Sequence, residues 1–344
     1  VKYPARGGFV PFGARRGDGS AVPRAGTGFA LNQALARRIG PSGSLYHDVS
    51  QFAPDEAYGY FELRQLVFDG SGFRIVSSER VAPRDLLPGW EVVGEGLTNA
   101  IADGDDFLLG MSAARPGSRP SAGVMRFSHD GSRWRPTEFH PVTEAEQCFE
   151  ASVVRDGSGA LLFTARASRE PDYHDIRVWR SNDTGATWTK QIHVRGAISS
   201  APVTINQAAD GTPYVGASLY QVPFERLAGH FRVPKDRQGR VRAGGWTRRV
   251  LCLWPIRDDR AGLAAAIVAR DCDADFGPPP GGSMWRVDHP SGAVVQLGDG
   301  AWHGVLGYRI HEDVESRSVE PPPQTGAYLE EVRSAGAAVA LWRF

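Results

Sequence analysis

Short runs of alternating apolar and polar residues recur along the chain, and each is followed by a tight turn and a second run of the same kind. Four such pairs are closely similar, and a fifth has a longer turn: 98–115, 150–166, 202–220, 293–309 and the looser 26–52. Alternation with a period of two, β-branched and aromatic residues, and Asp-Gly turns are typical of β-hairpins. The pattern predicts an all-β chain.

Each of these hairpins is followed by a second hairpin, so the repeating unit has four strands. The second hairpins are 61–78, 123–139, 176–194, 250–269 and 327–344. Radial repetition of four-stranded antiparallel sheets is the plan of a β-propeller. We predict a single β-propeller domain over 1–344 with five four-stranded blades, at about 24–82, 94–142, 147–197, 198–271 and 284–344. The alternatives are six blades, a β-sandwich, or two smaller β domains.

A turn of special composition, SNDTGATW, lies between the third and fourth predicted strands of the third unit, at 181–188. Related turns are SHDGSRW at 128–134 and FDGSGF at 68–73. The aspartate can accept backbone N–H bonds across the turn, the glycine can supply a positive φ, and the tryptophan can pack between blades. We therefore expect a structural turn. The motif resembles the Asp box, or BNR repeat, of the sialidase superfamily, S-x-D-x-G-x-x-W.

Candidate site residues follow from strand order. In an antiparallel blade, the innermost strand begins on the face where the second strand ends, and propellers bind ligands on that face. The residues predicted there are Arg24, Tyr46, His47, Asp48, Thr98, Arg115, Glu150, Arg166, Ser199, Ser200, Tyr220, Arg309, His311 and Tyr328. Arg115, Arg166 and Arg309 share one position of the repeat, the end of the second strand. A planar guanidinium group can donate two parallel hydrogen bonds to a carboxylate. This indicates an acidic sugar, although the arginines could instead pair with neighbouring acidic side chains.

The resemblance to sialidases implies a catalytic set. In these enzymes a tyrosine activated by a glutamate is the nucleophile, and an aspartate is the acid/base. Glu150 opens an inner strand in EASVVRDGSGALLFTAR, while Tyr328 and Asp48 stand in the matching order for the nucleophile and the acid/base. A tyrosine nucleophile suits an anionic anomeric centre, where a carboxylate would meet charge repulsion. The resemblance thus implies a retaining glycosidase.

The resemblance also implies three arginines that hold the substrate carboxylate. Arg166 and Arg309 match two of them in order, and either Arg24 or Arg115 matches the third. The F/Y-R-I-P signature that carries the first arginine in sialidases is absent here, where VPRAGTGF stands instead. Sialidases also have six blades rather than five. These departures bear on sialic acid as the substrate more than on an acidic sugar in general.

Three alternative functions are open to a propeller of this kind. A polysaccharide lyase of the ulvan type would cleave a uronic-acid polymer by β-elimination, with arginine or histidine neutralising the carboxylate and tyrosine or histidine moving protons. The residues that supply these types are His47, His311, Tyr46, Tyr220 and Tyr308. A non-catalytic sugar-binding propeller would repeat one pocket in every blade, whereas the polar residues here differ between blades. An inverting five-bladed glycosidase needs acids opening three inner strands, and only Glu150 fits.

The composition of the chain narrows the classes of binding partner. The 39 basic and 39 acidic residues cancel, so the charge balance favours neither nucleic acid nor an acidic membrane surface, and no apolar run is long enough to insert into a membrane. The three cysteines lack CxxC spacing, and the sequence does not decide whether Cys252 and Cys272 form a disulfide bond. We expect an acidic oligo- or polysaccharide as partner and neither a metal nor a cofactor. The sequence leaves the oligomeric state open, and we favour a secreted or periplasmic over a cytoplasmic protein.

Overall fold

A computed structural model of the chain describes residues 6–9, 27–34, 60–68, 73–94, 100–144, 146, 148–167, 173–199, 201–219, 249–257, 262–276, 284–296, 302–313 and 334–342. In these ranges the chain forms strands and one short helix, α1 (Cys272–Phe276). No helix within them is long and apolar enough to cross a membrane.

Five antiparallel sheets follow one another along the chain. The first contains β1 (Arg6–Phe9), β2 (Thr27–Ala34), β3 (Tyr60–Phe68) and β4 (Phe73–Val81). The second contains β5 (Glu91–Gly94), β6 (Ile101–Asp103), β7 (Asp106–Ala114), β8 (Ser121–His129) and β9 (Trp134–Pro141). The third contains β10 (Cys148–Arg155), β11 (Leu161–Ala167), β12 (Tyr173–Ser181) and β13 (Thr189–Ser199). The fourth contains β14 (Thr204–Gln207), β15 (Pro213–Ser218), β16 (Val250–Pro255) and β17 (Ile267–Asp271). The fifth contains β18 (Met284–Gln296), β19 (Trp302–Asp313) and β20 (Ser334–Trp342).

The hydrophobic core is divided among the spaces between successive sheets. Phe29 and Phe127 stack with 4.3 Å between ring centroids, which joins the first sheet to the second. Further buried clusters lie between the second and third sheets, the third and fourth, and the fourth and fifth. The second, third and fourth sheets therefore bury both of their faces against their neighbours, and the five sheets are arranged as a β-propeller.

Hydrogen bonds also join neighbouring sheets. The Gln65 side chain pairs with both the N–H and the carbonyl of Trp134, at 2.8 and 3.1 Å. Ser152 Oγ donates to the carbonyl of Ile205 and accepts from its N–H, both at 2.8 Å. Ser218 Oγ donates to the carbonyl of Val287 at 2.6 Å. Because these groups are buried, the bonds satisfy polar atoms that would otherwise be costly to bury.

The structure confirms the all-β class and the propeller, with four of the five sheets containing four or more strands in the described ranges. The first sheet differs from the predicted pairing: 26–52 contributes β2, while its inner partner β1 lies earlier, outside the predicted 24–82. In the second sheet, β5 pairs with β7 and begins the sheet's inner edge before residue 98. Both β1 and β5 span four residues, too few for a periodic signal.

The fifth sheet also differs from the sequence prediction. β20 covers much of the segment predicted as a hairpin at 327–344, and it pairs directly with β19 as the third strand of the sheet. The turn-type residues Ser334 and Gly336 of SAGAAVALW do not form a hairpin turn, because both are paired with β19, next to a shift in the register of the ladder. The predicted single domain spans residues outside the described ranges and stays a prediction.

Candidate active site

The face on which the innermost strands begin and the second strands end is called the entry face below. β5 and β10 begin there, and β7 and β11 end there. Three predicted site residues with described side chains belong to it: Arg115 directly follows β7, Glu150 lies near the start of β10, and Arg166 lies near the end of β11.

Glu150 and Arg166 form an ion pair. Arg166 Nη1 donates to Glu150 Oε2 at 2.9 Å, and the two side chains are 28% and 17% exposed, respectively. The pairing register places Arg166 opposite Phe149, the neighbour of Glu150. The sequence analysis placed Glu150 at the start of an inner strand and Arg166 at the end of the next strand. In the structure the side chains of these two residues are in direct contact.

The backbone of Glu150 is unusual. Its φ is +52°, in the left-handed region that side chains other than glycine rarely adopt. The ladder between β10 and β11 shifts register between Phe149 and Ser152, so Glu150 lies in a β-bulge. Bulges and left-handed non-glycine residues re-aim side chains and are concentrated at functional sites. Here the bulge directs the carboxylate towards Arg166 at the rim of the sheet.

The third described candidate, Arg115, lies over an aromatic ring. Its guanidinium carbon is 5.1 Å from the ring centroid of Trp90, the residue directly before β5. Trp90 in turn packs edge-on against Phe139, with 4.8 Å between ring centroids. The Arg115 carbonyl accepts bonds from Ser118 N and Oγ at 2.9 and 2.8 Å. Sequence analysis missed Trp90 and Glu91, which the short strand EVVG brings to this face.

A second polar cluster lies on the outer strands of the third sheet. The buried carboxylate of Asp175 contacts Arg177 Nη2 at 2.9 Å and His193 Nε2 at 2.7 Å. Arg177 Nη1 also lies 3.3 Å from Glu146 Oε2, and Lys190 contacts the same glutamate. These side chains contact one another, and the contacts of Glu146 attach the segment before β10 to β12 and β13.

The structure describes no side chain for the remaining predicted site residues. Ser199 is the last residue of β13 rather than the start of an inner strand, because the inner strand of the fourth sheet, β14, begins at Thr204. Arg24, Tyr46, His47, Asp48, Thr98, Ser200, Tyr220 and Tyr328 lie outside the described ranges. Arg309 and His311 lie within β19 rather than at its end, because β19 continues to Asp313, and their side chains are not described. A convergence of three arginines on one point therefore stays a prediction.

The turn at Ser181–Trp188 lies on the opposite face, between β12 and β13. Asp183 Oδ1 accepts a bond from Thr187 N at 2.9 Å, and Oδ2 accepts one from Thr187 Oγ1 at 2.6 Å. These bonds, with another from Ser181, lower the pKa of Asp183 to about 2. Gly185 has a φ of +98°, and the Trp188 ring lies 5.7 Å from that of Phe163. The turn is thus held together internally, as the sequence predicts.

The cysteines take no part in the candidate site. Cys148, Cys252 and Cys272 are all buried free thiols. Cys252 and Cys272 therefore do not form the disulfide bond that the sequence left undecided. Within the described ranges, no group of three or more histidine, cysteine or acidic side chains is placed to hold a metal ion.

Comparison with known proteins shows distant similarity of fold. No family model matches the chain, and no curated protein matches it. A protein of unknown function from Dyadobacter fermentans has 14% identity and a TM-score of 0.47, with 86% of this chain and 76% of that chain covered. The NanB sialidase of Streptococcus pneumoniae has 13% identity and a TM-score of 0.41, with 75% and 33% covered. An α-L-arabinanase of Penicillium chrysogenum has 11% identity and a TM-score of 0.45, with 88% and 72% covered. The similar structures thus include glycosidases, and similarity at this level carries no argument about activity.

Proposed function

We propose that this protein is a sialidase-like glycosidase that acts at the entry face on a sugar bearing a carboxylate. The observation that supports this most is the pair of Glu150 and Arg166, partly exposed at the start of an inner strand, with Glu150 in a left-handed conformation. A backbone conformation that costs free energy persists only where the surrounding structure requires it, and such conformations cluster at functional sites.

Arg166 is proposed to bind the substrate carboxylate. A guanidinium presents parallel N–H donors that match the two oxygens of a carboxylate, and its charge persists at every physiological pH. In the structure Arg166 Nη1 donates to the carboxylate of Glu150, so this guanidinium already has a carboxylate as a partner. Arg309, with Arg24 or Arg115, would complete the anion site.

Glu150, Tyr328 and Asp48 are proposed to carry the chemistry. The Tyr328 oxygen attacks the anomeric carbon as its proton passes to Glu150, and Asp48 gives a proton to the leaving oxygen. Water then attacks the anomeric carbon and the bond from that carbon to the tyrosine oxygen breaks, while Asp48 takes a proton from the water and Glu150 returns its proton to the tyrosine oxygen. The support for these roles is the order of the residues along the chain, the position of Glu150, and an Asp-box-like turn on the opposite face.

The first experiment is to incubate the protein with sialosides and with uronic-acid polysaccharides such as ulvan, following reducing ends and ultraviolet absorbance together. New reducing ends without an absorbance rise are expected. A rise in both would establish β-elimination and replace this proposal with the lyase. No product from any acidic substrate would contradict the proposal and favour a sugar-binding propeller.

Variants then connect the activity to the site. Tyr328→Phe is expected to abolish turnover and Glu150→Gln to lower it by about 10²- to 10⁴-fold. Glu144→Gln is the matched control, because Glu144 is exposed and lies in the segment before β10. Unchanged turnover in Glu150→Gln or Tyr328→Phe would overturn the assigned roles.

A further inference from the structure

Trp90 and Arg115 are brought together by the pairing of β5 with β7. Glu91 is the register partner of Ala114, so the residue before β5 and the residue after β7 are adjacent at the end of the ladder. There the Arg115 guanidinium lies 5.1 Å from the Trp90 ring centroid, within the range of a cation–π interaction. The contact is at the entry face, on the sheet next to the one that carries Glu150.

The ring is itself held in place. Trp90 is half-buried and packs against the buried hydrophobic residues between the first and second sheets, with 4.8 Å between its ring centroid and that of Phe139. Its backbone N–H donates to the carbonyl of Leu87 at 3.1 Å. The indole therefore offers a fixed surface, and Arg115, whose backbone is bound by Ser118, lies over it.

Arg115 differs in its contacts from five arginines on the strands of the second and third sheets. Arg126, Arg155, Arg166, Arg177 and Arg180 each contact at least one carboxylate. Within the described part of the chain, the Arg115 guanidinium has the Trp90 ring as a contact and no carboxylate. An aromatic face orients a guanidinium while leaving its N–H donors directed outwards, whereas a protein carboxylate would occupy them.

We propose that Trp90 is a positioning residue that holds Arg115 over the entry face as a contact for the carboxylate of the substrate. This inference rests on the proposed function, because an acidic sugar supplies the carboxylate. Arg115 then determines specificity for the acid over its uncharged ester. Trp90 acts through Arg115 and does not itself touch the reacting atoms.

The test measures equilibrium binding of sialic acid and glucuronic acid, each as the free carboxylate and as its methyl ester, by calorimetry. Arg115→Gln should weaken binding of the preferred acid by about 10- to 100-fold, because a charge-assisted hydrogen bond is lost. Trp90→Leu should weaken it by about 2- to 5-fold, the range of an exposed cation–π contact. Binding of the ester should change little in either variant.

Two further variants separate positioning from folding. Trp90→Phe keeps an aromatic face and should recover most of the affinity lost in Trp90→Leu. Arg119→Gln is the matched control, because Arg119 is an exposed arginine in the same connection and should leave acid binding unchanged. Arg115 is also exposed, so Arg115→Gln is expected to fold normally.

The outcomes distinguish this inference from the proposed function. Acid binding that depends on Arg115 and Trp90 in a protein without hydrolase activity would support the inference and overturn the glycosidase. Hydrolysis of acidic substrates with unchanged KM in Arg115→Gln and Trp90→Leu would support the glycosidase and overturn the inference. Where turnover is measured, the expected change is in KM with kcat nearly constant. Failure of the wild-type protein to prefer either acid over its ester would also overturn the inference.

Discussion

Glu150 and Arg166 contact each other across the first two strands of the third sheet, with 2.9 Å between Oε2 and Nη1. The contact depends on a β-bulge that places Glu150 at a φ of +52°. One local distortion of an otherwise regular strand therefore brings an acid and a guanidinium together at the entry face.

Replacement of Glu150 by glutamine should separate activity from stability. Turnover of an acidic glycoside is expected to fall by about 10²- to 10⁴-fold, the usual contribution of a general base. Stability should fall by only about 1 kcal/mol, because the paired side chains are partly exposed and the amide can still accept a bond from Arg166. Steady-state kinetics and urea unfolding measure the two effects. A loss of activity explained by unfolding would contradict the assignment.

Gly110 controls the approach of the second and third sheets. A Cβ added there would lie 2.8 Å from the backbone of Ala151 and Ser152, directly after Glu150. Gly110→Ala should therefore destabilise the protein by about 1–3 kcal/mol, because backbone on both sheets must shift. Urea unfolding measures this change. Gly157→Ala is the control, since a Cβ there meets nothing within 4 Å, and equal unfolding midpoints for the two variants would contradict the packing argument.

Asp183 should make part of the stability depend on pH. Hydrogen bonds from the Thr187 side chain and backbone, and from Ser181, lower its pKa from 3.8 to about 2. A lowered folded-state pKa contributes stability that is fully present above 3.8 and is lost as the pH falls towards 2. Asp183→Asn should therefore lower the thermal midpoint near neutral pH, and the difference from wild type should shrink in acid. A difference that is constant with pH would contradict this account.

The three cysteines should be unreactive in the folded protein. Burial raises the pKa of Cys148 and Cys252 to about 11 and that of Cys272 to about 12, so thiolate is scarce and shielded at neutral pH. A disulfide reagent such as dithionitrobenzoate should label none of them in native buffer and all three in denaturant without reductant. Only one labelled thiol in denaturant would show that two are bridged.

The repeat predicted many of the strands because long strands carry a strong signal. The third unit shows this clearly: the predicted hairpin at 150–166 corresponds to β10 and β11, and the predicted turn at 181–188 joins β12 to β13. The internal hydrogen bonds of that turn are local in sequence, so residue types alone indicate them. The two four-residue strands β1 and β5 were missed because so short a segment has no measurable period.

The sequence by itself determined the all-β class, the four-stranded repeat and the face to which Glu150, Arg166 and Arg115 belong. These properties depend on alternation and turn chemistry, which act between residues close in the chain. The tertiary structure decided that Glu150 lies in a bulge against Arg166, and that Trp90 lies beneath Arg115. Alternation and turn geometry set regular strand pairing, but the bulge at Glu150 departs from that regular pairing. The four-residue strand β5 is too short to show a period, so the local pattern does not indicate its pairing with β7.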